Sequence, residues 1–347
     1  MLFLSHQLSG QELKQDLDIR IEIEKLIRFD TDISFKKTPG FIVTIIDDSD
    51  TYFIPFGTKQ KKVKEPITEN DVFEIGSVTK VLTAALMYQL ITAFNLSAHA
   101  PVNSFLDESW QNPRLMNLTI EDLIHHKSGF SRLPAFFGRK EKDIQSPYSN
   151  YTKLDLLKYY RDFIPEREQK FEYSHTNYAL LELIIEKIKG QPFHDAMQDG
   201  IFDPMMMESS FFDFKELHEL SPGYDRSGKM AKPWQFASFS GSEGAKSTSV
   251  DLAQFVKYQC FMDYQNKLNS AGFNELLGLD HGWHLIHMNH FNIYTHTGKT
   301  SGHHAFIAFI KETKTAVIVL ANSAVGTEDL GLQILRMINH NWKRVKA

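Results

Sequence analysis

The stretch Phe73-Glu74-Ile75-Gly76-Ser77-Val78-Thr79-Lys80 runs directly into an apolar segment, residues 81–91, and decides how the chain is interpreted. The apolar segment predicts a buried helix, with Ser77 in its first turn. Lys80 follows three residues later, so the two side chains lie on one helix face. A serine hydroxyl needs a base within hydrogen-bond reach to act as a nucleophile, and the free N–H groups at a helix start suit a developing oxyanion. The stretch therefore predicts a nucleophilic serine paired with a lysine.

The same spacing also has an ordinary structural interpretation. Any helix whose serine cap precedes a lysine by three residues matches it, with Ser77 as an N-cap and Lys80 as a solvated charge. The residues that follow, however, leave this helix apolar on most sides. A lysine in such a helix is buried, and buried lysines are usually paired or functional. The flanking sequence therefore favours the catalytic interpretation.

Four further segments extend this interpretation along the chain. They are residues 118–130 (LTIEDLIHHKSGF), 172–178 (EYSHTNY), 244–252 (GAKSTSVDL) and 296–299 (HTGK). Together with the Ser-x-x-Lys stretch, they resemble in sequence order the motifs of the serine β-lactamase and penicillin-binding protein superfamily. The likeness is greatest to the branch that holds class C β-lactamases, D-alanyl-D-alanine carboxypeptidases and many esterases. The resemblance covers roughly residues 35–335, nearly the whole chain.

The resemblance implies an α+β fold, in which helices flank an antiparallel β-sheet and a mostly helical lobe is inserted. On this basis, residues 1–94 and 241–347 form the sheet domain, residues 95–240 form the helical lobe, and the active site lies in the cleft between them. Local patterns agree with that architecture. They predict helices over residues 11–28, 250–261 and 330–342, and strands over residues 40–46, 51–56, 281–287, 291–295, 305–310 and 316–320.

The resemblance also implies a role for each catalytic residue. Ser77 is the nucleophile that forms an acyl-enzyme, and Lys80 accepts its proton or holds the hydroxyl ready. Tyr173 would relay the proton to the leaving group and later help to activate the deacylating water. The identity of the formal base stays open between Lys80 and Tyr173, because two coupled groups titrate as a pair. Taken alone, Tyr173 is better interpreted as a half-buried aromatic residue whose hydroxyl faces water, and the catalytic interpretation depends on the three motifs occurring together.

The third motif is expected to bind the substrate. The backbone N–H groups of Ser77 and Lys299 would form the oxyanion hole, with Lys299 on an edge strand directly after the His-Thr-Gly segment. His296 and Thr297 would line the cleft and touch the substrate. In isolation, His296 could be an ordinary strand residue, and Thr297 with Gly298 could mark a β-bulge or a close approach of two backbones. The assignment therefore depends on the three motifs occurring together.

One position departs from the family pattern. The second motif of the family ends in asparagine, whereas this chain has His175; the amide of Asn177 could replace the missing one only if the local turn differs. A neutral imidazole has one donor and one acceptor, while an amide can hold both the lysine and a substrate carbonyl. At the third motif, His296 in place of lysine weakens the fixed positive charge for a substrate carboxylate. These features imply weak or no β-lactamase activity.

The leading hypothesis is a serine hydrolase that cleaves an ester, amide or peptide substrate, with esterase-like or D-amino-acid peptidase-like activity. An acyltransferase would use the same acyl-enzyme and replace water with a bound alcohol or amine. A non-catalytic binding or sensor protein on the same fold is a second class of function, because a substituted motif, as at His175, is how loss of catalysis would begin. An α/β-hydrolase is disfavoured, since the chain has no Gly-x-Ser-x-Gly elbow. The sequence does not identify the physiological substrate.

The composition is that of a globular protein and excludes several classes. The 347 residues suffice for a large core, and 42% are hydrophobic and 23% charged. A net charge of −5 with scattered signs gives no basic face, so no nucleic-acid partner is expected. Cys260 is the only cysteine, which excludes an intrachain disulfide. No pattern predicts a cofactor, and the oligomeric state stays open.

The histidines and the N terminus complete these expectations. The chain has 15 histidines but no His-Glu-x-x-His pattern, so no metal site is expected. No stretch reaches 18 apolar residues, so no transmembrane helix is expected. The first residues lack the basic region and long apolar segment of a secretory signal. We therefore expect a cytoplasmic protein, or a periplasmic or extracellular one if a leader segment has been removed.

Overall fold

A six-stranded antiparallel β-sheet forms the centre of the fold. The computed structural model describes residues 10–31, 33–48, 50–135, 137, 146–166, 171–212, 220–260, 282–288 and 290–345. The strands of the sheet are β1 (Gly40–Asp47), β2 (Asp50–Gly57), β5 (His284–His287), β6 (Asn292–Lys299), β7 (His304–Ile310) and β8 (Thr315–Ala321). Their spatial order is β2-β1-β8-β7-β6-β5, so N-terminal and C-terminal strands share one sheet. Two short strands, β3 (Phe73–Glu74) and β4 (Lys246–Ser247), pair separately.

Helices lie on both sides of this sheet. Those of the described residues are α1 (Gly10–Phe29), α2 (Thr79–Ala93), α3 (Ile120–Ile124), α4 (Lys153–Asp162), α5 (His175–Lys189), α6 (Phe193–Met197), α7 (Ser240–Glu243), α8 (Ser249–Cys260) and α9 (Glu328–Val345). The strands and helices predicted from the sequence are found, with ends that differ by a few residues. Predicted positions 261 and 281 lie outside the described residues. An antiparallel sheet flanked by helices is therefore confirmed.

The central strands are buried on both faces. Ile42 and Ile46 of β1 face the apolar core that contains α2, whereas Phe41, Val43 and Ile45 face the core that contains α1 and α9. Strands β7 and β8 are buried at every residue. Two-sided burial explains why these strands have near-continuous apolar sequences rather than alternating ones.

Helix α2 is buried on almost every side, as its apolar sequence predicts. From Thr79 to Ile91, Gln89 is the one residue that is not buried. Lys80 is the second residue of this helix and is 0% exposed. Ser77 lies slightly earlier than predicted, in a 3₁₀ turn that spans Gly76–Val78 and leads into α2. Such turns are frequent at helix starts, and this one keeps Ser77 beside Lys80.

Two glycines allow strand β6 to approach the turn that precedes α2. Gly76 has a φ of +49°, and a methyl group built on it would lie 2.5 Å from the Lys299 backbone nitrogen. A methyl group built on Gly298 would lie 1.8 Å from the Ile75 carbonyl oxygen. Because neither position has room for a side chain, the two backbones are in direct contact.

The third motif lies within β6, which is longer than predicted. The prediction of an edge strand is wrong, because β6 is the second strand from the edge and β5 lies outside it. The described pairing with β5 ends at Thr295, however, one residue before His296. The His-Thr-Gly-Lys segment therefore lies beyond the described residues of β6 that pair with β5. This part of β6 contacts the turn of Ser77.

The predicted division into a sheet domain and a helical lobe stays a prediction. A single apolar core contains residues from both parts, among them Leu82 of α2, Ile184 of α5 and Leu252 of α8.

Helix α5 ends at Gly190, whose φ of +65° is the left-handed conformation that glycine adopts readily at helix ends.

The variant Gly298→Ala tests the contact between β6 and the turn. The added methyl group would overlap the Ile75 carbonyl, so one backbone must move, and we expect the free energy of unfolding to fall by about 3 kcal/mol. The matched control is Gly190→Ala, where φ is +65° but no atom lies within 4 Å of the added group. This control should lose only about 1 kcal/mol, from its left-handed backbone. Urea unfolding followed by circular dichroism measures both values, and equal losses would contradict the contact.

Candidate active site

Ser77 and Lys80 lie where α2, α7 and β6 meet the 3₁₀ turn, and α5 packs against both α2 and α7. Lys80 Nζ is 3.1 Å from Ser77 Oγ and donates a hydrogen bond to it. Ser77 is 7% exposed, while Lys80 is fully buried. The structure therefore brings the predicted nucleophile and its lysine into direct contact inside the protein.

The Lys80 ammonium group is surrounded by acceptors. Besides Ser77 Oγ, it donates to the Ser242 carbonyl oxygen at 3.0 Å and to Glu243 Oε1 at 2.7 Å. His175 Nδ1 is a fourth polar neighbour, 3.1 Å from Nζ, and the three oxygen atoms alone suffice for the three N–H bonds of an ammonium group. The buried cation thus has both its hydrogen-bond partners and a counter-charge in place.

Glu243 is a site residue that the sequence analysis missed. Its Oε1 atom accepts a hydrogen bond from the Ser77 hydroxyl, contacts Lys80 Nζ, and lies 2.5 Å from His175 Nδ1. Glu243 directly precedes the GAKSTSVDL segment, so its position in the chain was a signal. A single acidic residue has no diagnostic spacing, however, and its contact with Ser77 joins positions 166 residues apart.

Hydrogen bonds hold α7, which carries Glu243, and the residues just after it against their neighbours. The Gly241 backbone N–H donates to Glu182 Oε2 of α5 at 2.9 Å, and the Gly241 carbonyl accepts from the Thr83 hydroxyl of α2 at 2.7 Å. The Ala245 N–H donates to Thr79 Oγ1 at 3.1 Å. Because α7 is tied to two helices, the Glu243 carboxylate has a fixed position beside Ser77.

The charges around Glu243 determine its ionisation. Burial raises the pKa of the Glu243 carboxyl, but the nearby Lys80 cation and the hydrogen bonds from His175 and Lys80 outweigh burial and hold the pKa well below its usual range. Glu243 is therefore a carboxylate at neutral pH. Paired with the Lys80 ammonium, it makes the buried centre electrically neutral.

His175 takes part in this centre as a neutral imidazole. Burial lowers its pKa to about 4, and the Lys80 charge acts in the same direction, although Glu243 opposes both. The contact with Glu243 is then a hydrogen bond rather than an ion pair. Nδ1 of His175 lies 2.5 Å from Glu243 Oε1 and 3.1 Å from Lys80 Nζ. Because the carboxylate is the nearer of the two and only accepts, we assign the proton to Nδ1, which donates it to Glu243.

Tyr173 lies just before α5 and forms part of the wall of the site. Lys80 Nζ lies 5.2 Å from the centre of its ring, and the Arg132 guanidinium lies 5.5 Å from it. Among the described residues, no hydrogen bond joins the Tyr173 hydroxyl to Ser77 or Lys80. The relay role of Tyr173 stays a prediction, since this geometry brings its ring rather than its hydroxyl to the lysine.

Asn177 does not supply the amide that the family has at position 175. Its Nδ2 atom donates to the Leu123 carbonyl at 2.9 Å, and its Oδ1 atom accepts from the Ser128 hydroxyl at 2.6 Å. The side chain is fully buried. Asn177 therefore binds the end of α3 and the loop after it, away from Ser77 and Lys80.

The residues of the third motif occupy different positions around the site. His296 is buried, and burial together with the neighbouring His284 holds its pKa well below the usual range. Its ring lies 5.0 Å from that of His284 and 6.4 Å from that of Tyr173, while Nε2 has no hydrogen-bond partner among the described residues. Thr297 is half-buried on the same strand. His296 thus adds a neutral imidazole to the wall of the site.

Lys299 contributes through its backbone. Its backbone nitrogen lies beside Gly76, the residue before Ser77, and a methyl group built on Gly76 would overlap this nitrogen. Its side chain is half-buried, and burial lowers its pKa, with Arg226 acting in the same direction. The structure therefore brings the Lys299 N–H, rather than its ammonium group, to the turn that carries Ser77.

The solvent side of the site consists of aromatic and imidazole rings. Tyr173 is half-buried and packs on His126 at 4.5 Å and on the exposed His284 at 5.5 Å between ring centres. Burial and Lys80 lower the pKa of His126 to about 3, so this imidazole is neutral as well. Within the described ranges, no group of three or more histidine, cysteine or acidic residues is arranged to hold a metal ion. None of the described helices is long and apolar enough to cross a membrane.

The chain and its fold are similar to known proteins. A protein-family model described as Beta-lactamase matches residues 29–339. Penicillin-binding protein 4 of Amycolatopsis lactamdurans is 23% identical over 329 residues, which cover 86% of this chain and 85% of that protein. The crystal structure of a class C beta lactamase from Rhodobacter sphaeroides superposes with a TM-score of 0.73, covers 93% of this chain and 99% of that one, and is 20% identical.

A shorter match points to a protein named for a different process. The protein called FimD of serogroup D, named for fimbrial assembly, from Dichelobacter nodosus is 34% identical over 137 residues. The match covers 39% of this chain and 34% of that protein. The chain therefore spans about a third of the length of this curated relative.

The variant His175→Asn should reduce the acid sensitivity of the fold. His175 has a pKa of about 4 in the folded protein against 6.5 for an ordinary histidine, so between these values the unfolded chain binds a proton that the folded protein does not. The stability of the wild type therefore falls as the pH drops through this window, by on the order of 2 kcal/mol from this residue. Urea unfolding at about pH 7 and about pH 4.5 should show a smaller drop for His175→Asn. The exposed His99→Asn is the control and should show the same drop as the wild type. A drop in His175→Asn as large as that of the wild type would contradict the assignment.

Proposed function

The chain belongs to the Beta-lactamase family, and on that premise we propose that it is a serine hydrolase that cleaves an ester or amide through an acyl-enzyme on Ser77. One observation carries this proposal: the Ser77 hydroxyl lies 3.1 Å from a fully buried lysine at the start of a buried helix. A serine activated by a positioned partner is the requirement for nucleophilic catalysis. A serine that served only as a helix cap would not need a buried ammonium group beside it.

In the proposed reaction, Ser77 Oγ attacks the acyl carbon, and the carbonyl oxygen becomes an oxyanion. The N–H groups of Ser77 and Lys299 are the proposed donors to that oxygen, which the close contact of Gly76 and Gly298 supports. Collapse of the tetrahedral adduct breaks the bond to the leaving alcohol or amine and leaves an acyl group on Ser77. Water then attacks the same carbon, so the acid is released and the hydroxyl is restored.

The polar groups of the site favour simple esters over amide-flanked substrates. His175 stands where the family has asparagine, and its Nδ1 atom is occupied by Glu243, so no amide is available there to hold a substrate amide. His296 is neutral and offers no fixed charge to a substrate carboxylate. These two features support an esterase-like activity over a D-amino-acid peptidase-like one, with weak or no action on β-lactams.

A fluorophosphonate probe tests the nucleophile directly. We expect one adduct on the wild type, located on Ser77 by peptide mapping, because the probe reports serines with an activated hydroxyl. Ser77→Ala should take up no probe, and the matched control Ser104→Ala, an exposed residue away from the site, should react like the wild type. Intact mass spectrometry measures all three. Folded wild-type protein without an adduct would contradict the hydrolase and favour a binding or sensor protein.

Substrate preference provides a second test. We expect p-nitrophenyl acetate to be hydrolysed in a Ser77-dependent manner, and a chromogenic cephalosporin to be turned over with a kcat/KM at least about 100-fold lower. The difference follows from the missing amide at position 175 and the neutral His296. Absorbance assays on the same enzyme preparation compare the two substrates. Equal or faster cleavage of the cephalosporin would contradict the ester preference.

A further inference from the structure

The Ser77 hydroxyl has one proton, and the hydrogen bonds around it indicate where that proton points. Ser77 Oγ accepts from Lys80 Nζ at 3.1 Å and donates to Glu243 Oε1. A general base must lie within hydrogen-bond reach of the proton that it removes. In this arrangement Lys80 is a donor to the serine, and Glu243 is the acceptor.

Lys80 is poorly placed to accept a proton. Its three N–H bonds are directed to Ser77 Oγ, the Ser242 carbonyl and Glu243 Oε1. Removing one of them would leave the Glu243 carboxylate buried without its cation, and an uncompensated buried charge is strongly unfavourable. Tyr173 is less well placed than Glu243, because among the described residues its hydroxyl has no hydrogen bond to Ser77, whereas Glu243 accepts one.

We propose that Glu243 is the general base that accepts the Ser77 proton, with Lys80 as a permanent cation beside it. The proposal rests on the serine-hydrolase function of Ser77. As the bond from Ser77 Oγ to the acyl carbon forms, the O–H bond breaks and its proton passes to Glu243 Oε1. The resulting carboxylic acid returns this proton to the leaving oxygen or nitrogen as its bond to the acyl carbon breaks.

Deacylation uses the same group in the same way. The regenerated carboxylate removes a proton from the attacking water, whose oxygen bonds to the acyl carbon. As Ser77 Oγ leaves, it recovers a proton from Glu243, so the enzyme ends with the protons it began with. Lys80 stabilises the negative charge on whichever of the two oxygens lacks a proton, without changing its own protonation.

Four titratable groups face Glu243, and two of them, Lys80 and His175, hold its pKa below the usual range. The four are Lys80 on α2, His175 on α5, His296 on β6 and Tyr148 in the segment before α4. His175 donates its Nδ1 proton to Oε1, and α7 is fixed by the Gly241 hydrogen bonds to Glu182 and Thr83. His175 therefore acts as a positioning residue for the carboxylate.

The test compares Glu243→Gln with the wild type, by the rate of fluorophosphonate labelling of Ser77 and by kcat/KM for p-nitrophenyl acetate. Glutamine keeps the size of the side chain but cannot accept the proton, so both rates should fall by about 100-fold or more. Glu243→Asp keeps the carboxylate one methylene further away and should retain an intermediate rate. Glu22→Gln, on the exposed face of α1, is the matched control and should react like the wild type. Thermal unfolding of each variant identifies any loss of folded protein.

The pH profile of the wild type provides a readout that does not depend on a variant. With Glu243 as the base, kcat/KM should stay level from about pH 8 down to about pH 5, because the carboxylate is ionised throughout. A wild-type rate that falls tenfold per pH unit below about pH 8 would assign the proton to an amine and overturn the proposal.

The outcomes separate this proposal from the function on which it rests. Labelling of Ser77 in the wild type with an unchanged rate in Glu243→Gln would overturn the role of Glu243 and leave the serine hydrolase standing. Absence of labelling in folded wild-type protein would overturn both. Slow labelling in Glu243→Gln, partial recovery in Glu243→Asp and a level wild-type profile together support Glu243 as the base.

Discussion

The buried charge of Lys80 is the constraint on which the site depends. The side chain is fully buried in an apolar helix, where an isolated ammonium group would be destabilising by several kcal/mol. Its acceptors come from separate parts of the chain, the 3₁₀ turn with Ser77 and helix α7 with Ser242 and Glu243. The Lys80 ammonium group therefore keeps its hydrogen-bond acceptors only while α2 and α7 stay in contact. The hydrogen bonds of Gly241 to Thr83 of α2 and Glu182 of α5 hold α7 in that position. Ser77 lies beside Lys80 and Glu243 because it belongs to the same set of hydrogen bonds that neutralises the buried lysine.

The other half of the site is built from backbone alone. Gly76 and Gly298 leave no space for a side chain between β6 and the turn, so the Lys299 N–H comes beside the residue that precedes Ser77. This contact is independent of the ion pair, because it involves a strand of the central sheet rather than α7. Ser77 thus lies between a charged half, to which we assign the proposed proton transfers, and a backbone half, which suits a developing oxyanion.

The sequence predicts the features that depend on short spacing or on composition. The buried helix, the i, i+3 pair of Ser77 and Lys80 and the strands of the sheet all follow from local periodicity. Glu243 could not be found in this way, since its contact with Ser77 joins positions 166 residues apart and one acidic residue has no period. The edge-strand prediction for the third motif failed for a related reason: the order of strands depends on the pairing of distant segments, and β5 pairs outside β6. The orientation of Tyr173 likewise depends on packing against His126 and His284, which no local pattern encodes.

His175 and Glu243 are best understood as one interdependent pair. An asparagine at position 175 could also turn its NH2 group to the Glu243 carboxylate, so the contact needs a donor at this position rather than a histidine in particular. A neutral imidazole with its proton on Nδ1 gives the carboxylate a donor 2.5 Å away and places no lone pair at that contact. Without Glu243, in turn, the buried Lys80 would lack its counter-charge. Lys80, His175 and Glu243 therefore form a closed network in which each proton already has an acceptor. Ser77 is more exposed than any of these three, at 7%, and in the proposed mechanism its proton is the one that moves when a substrate binds.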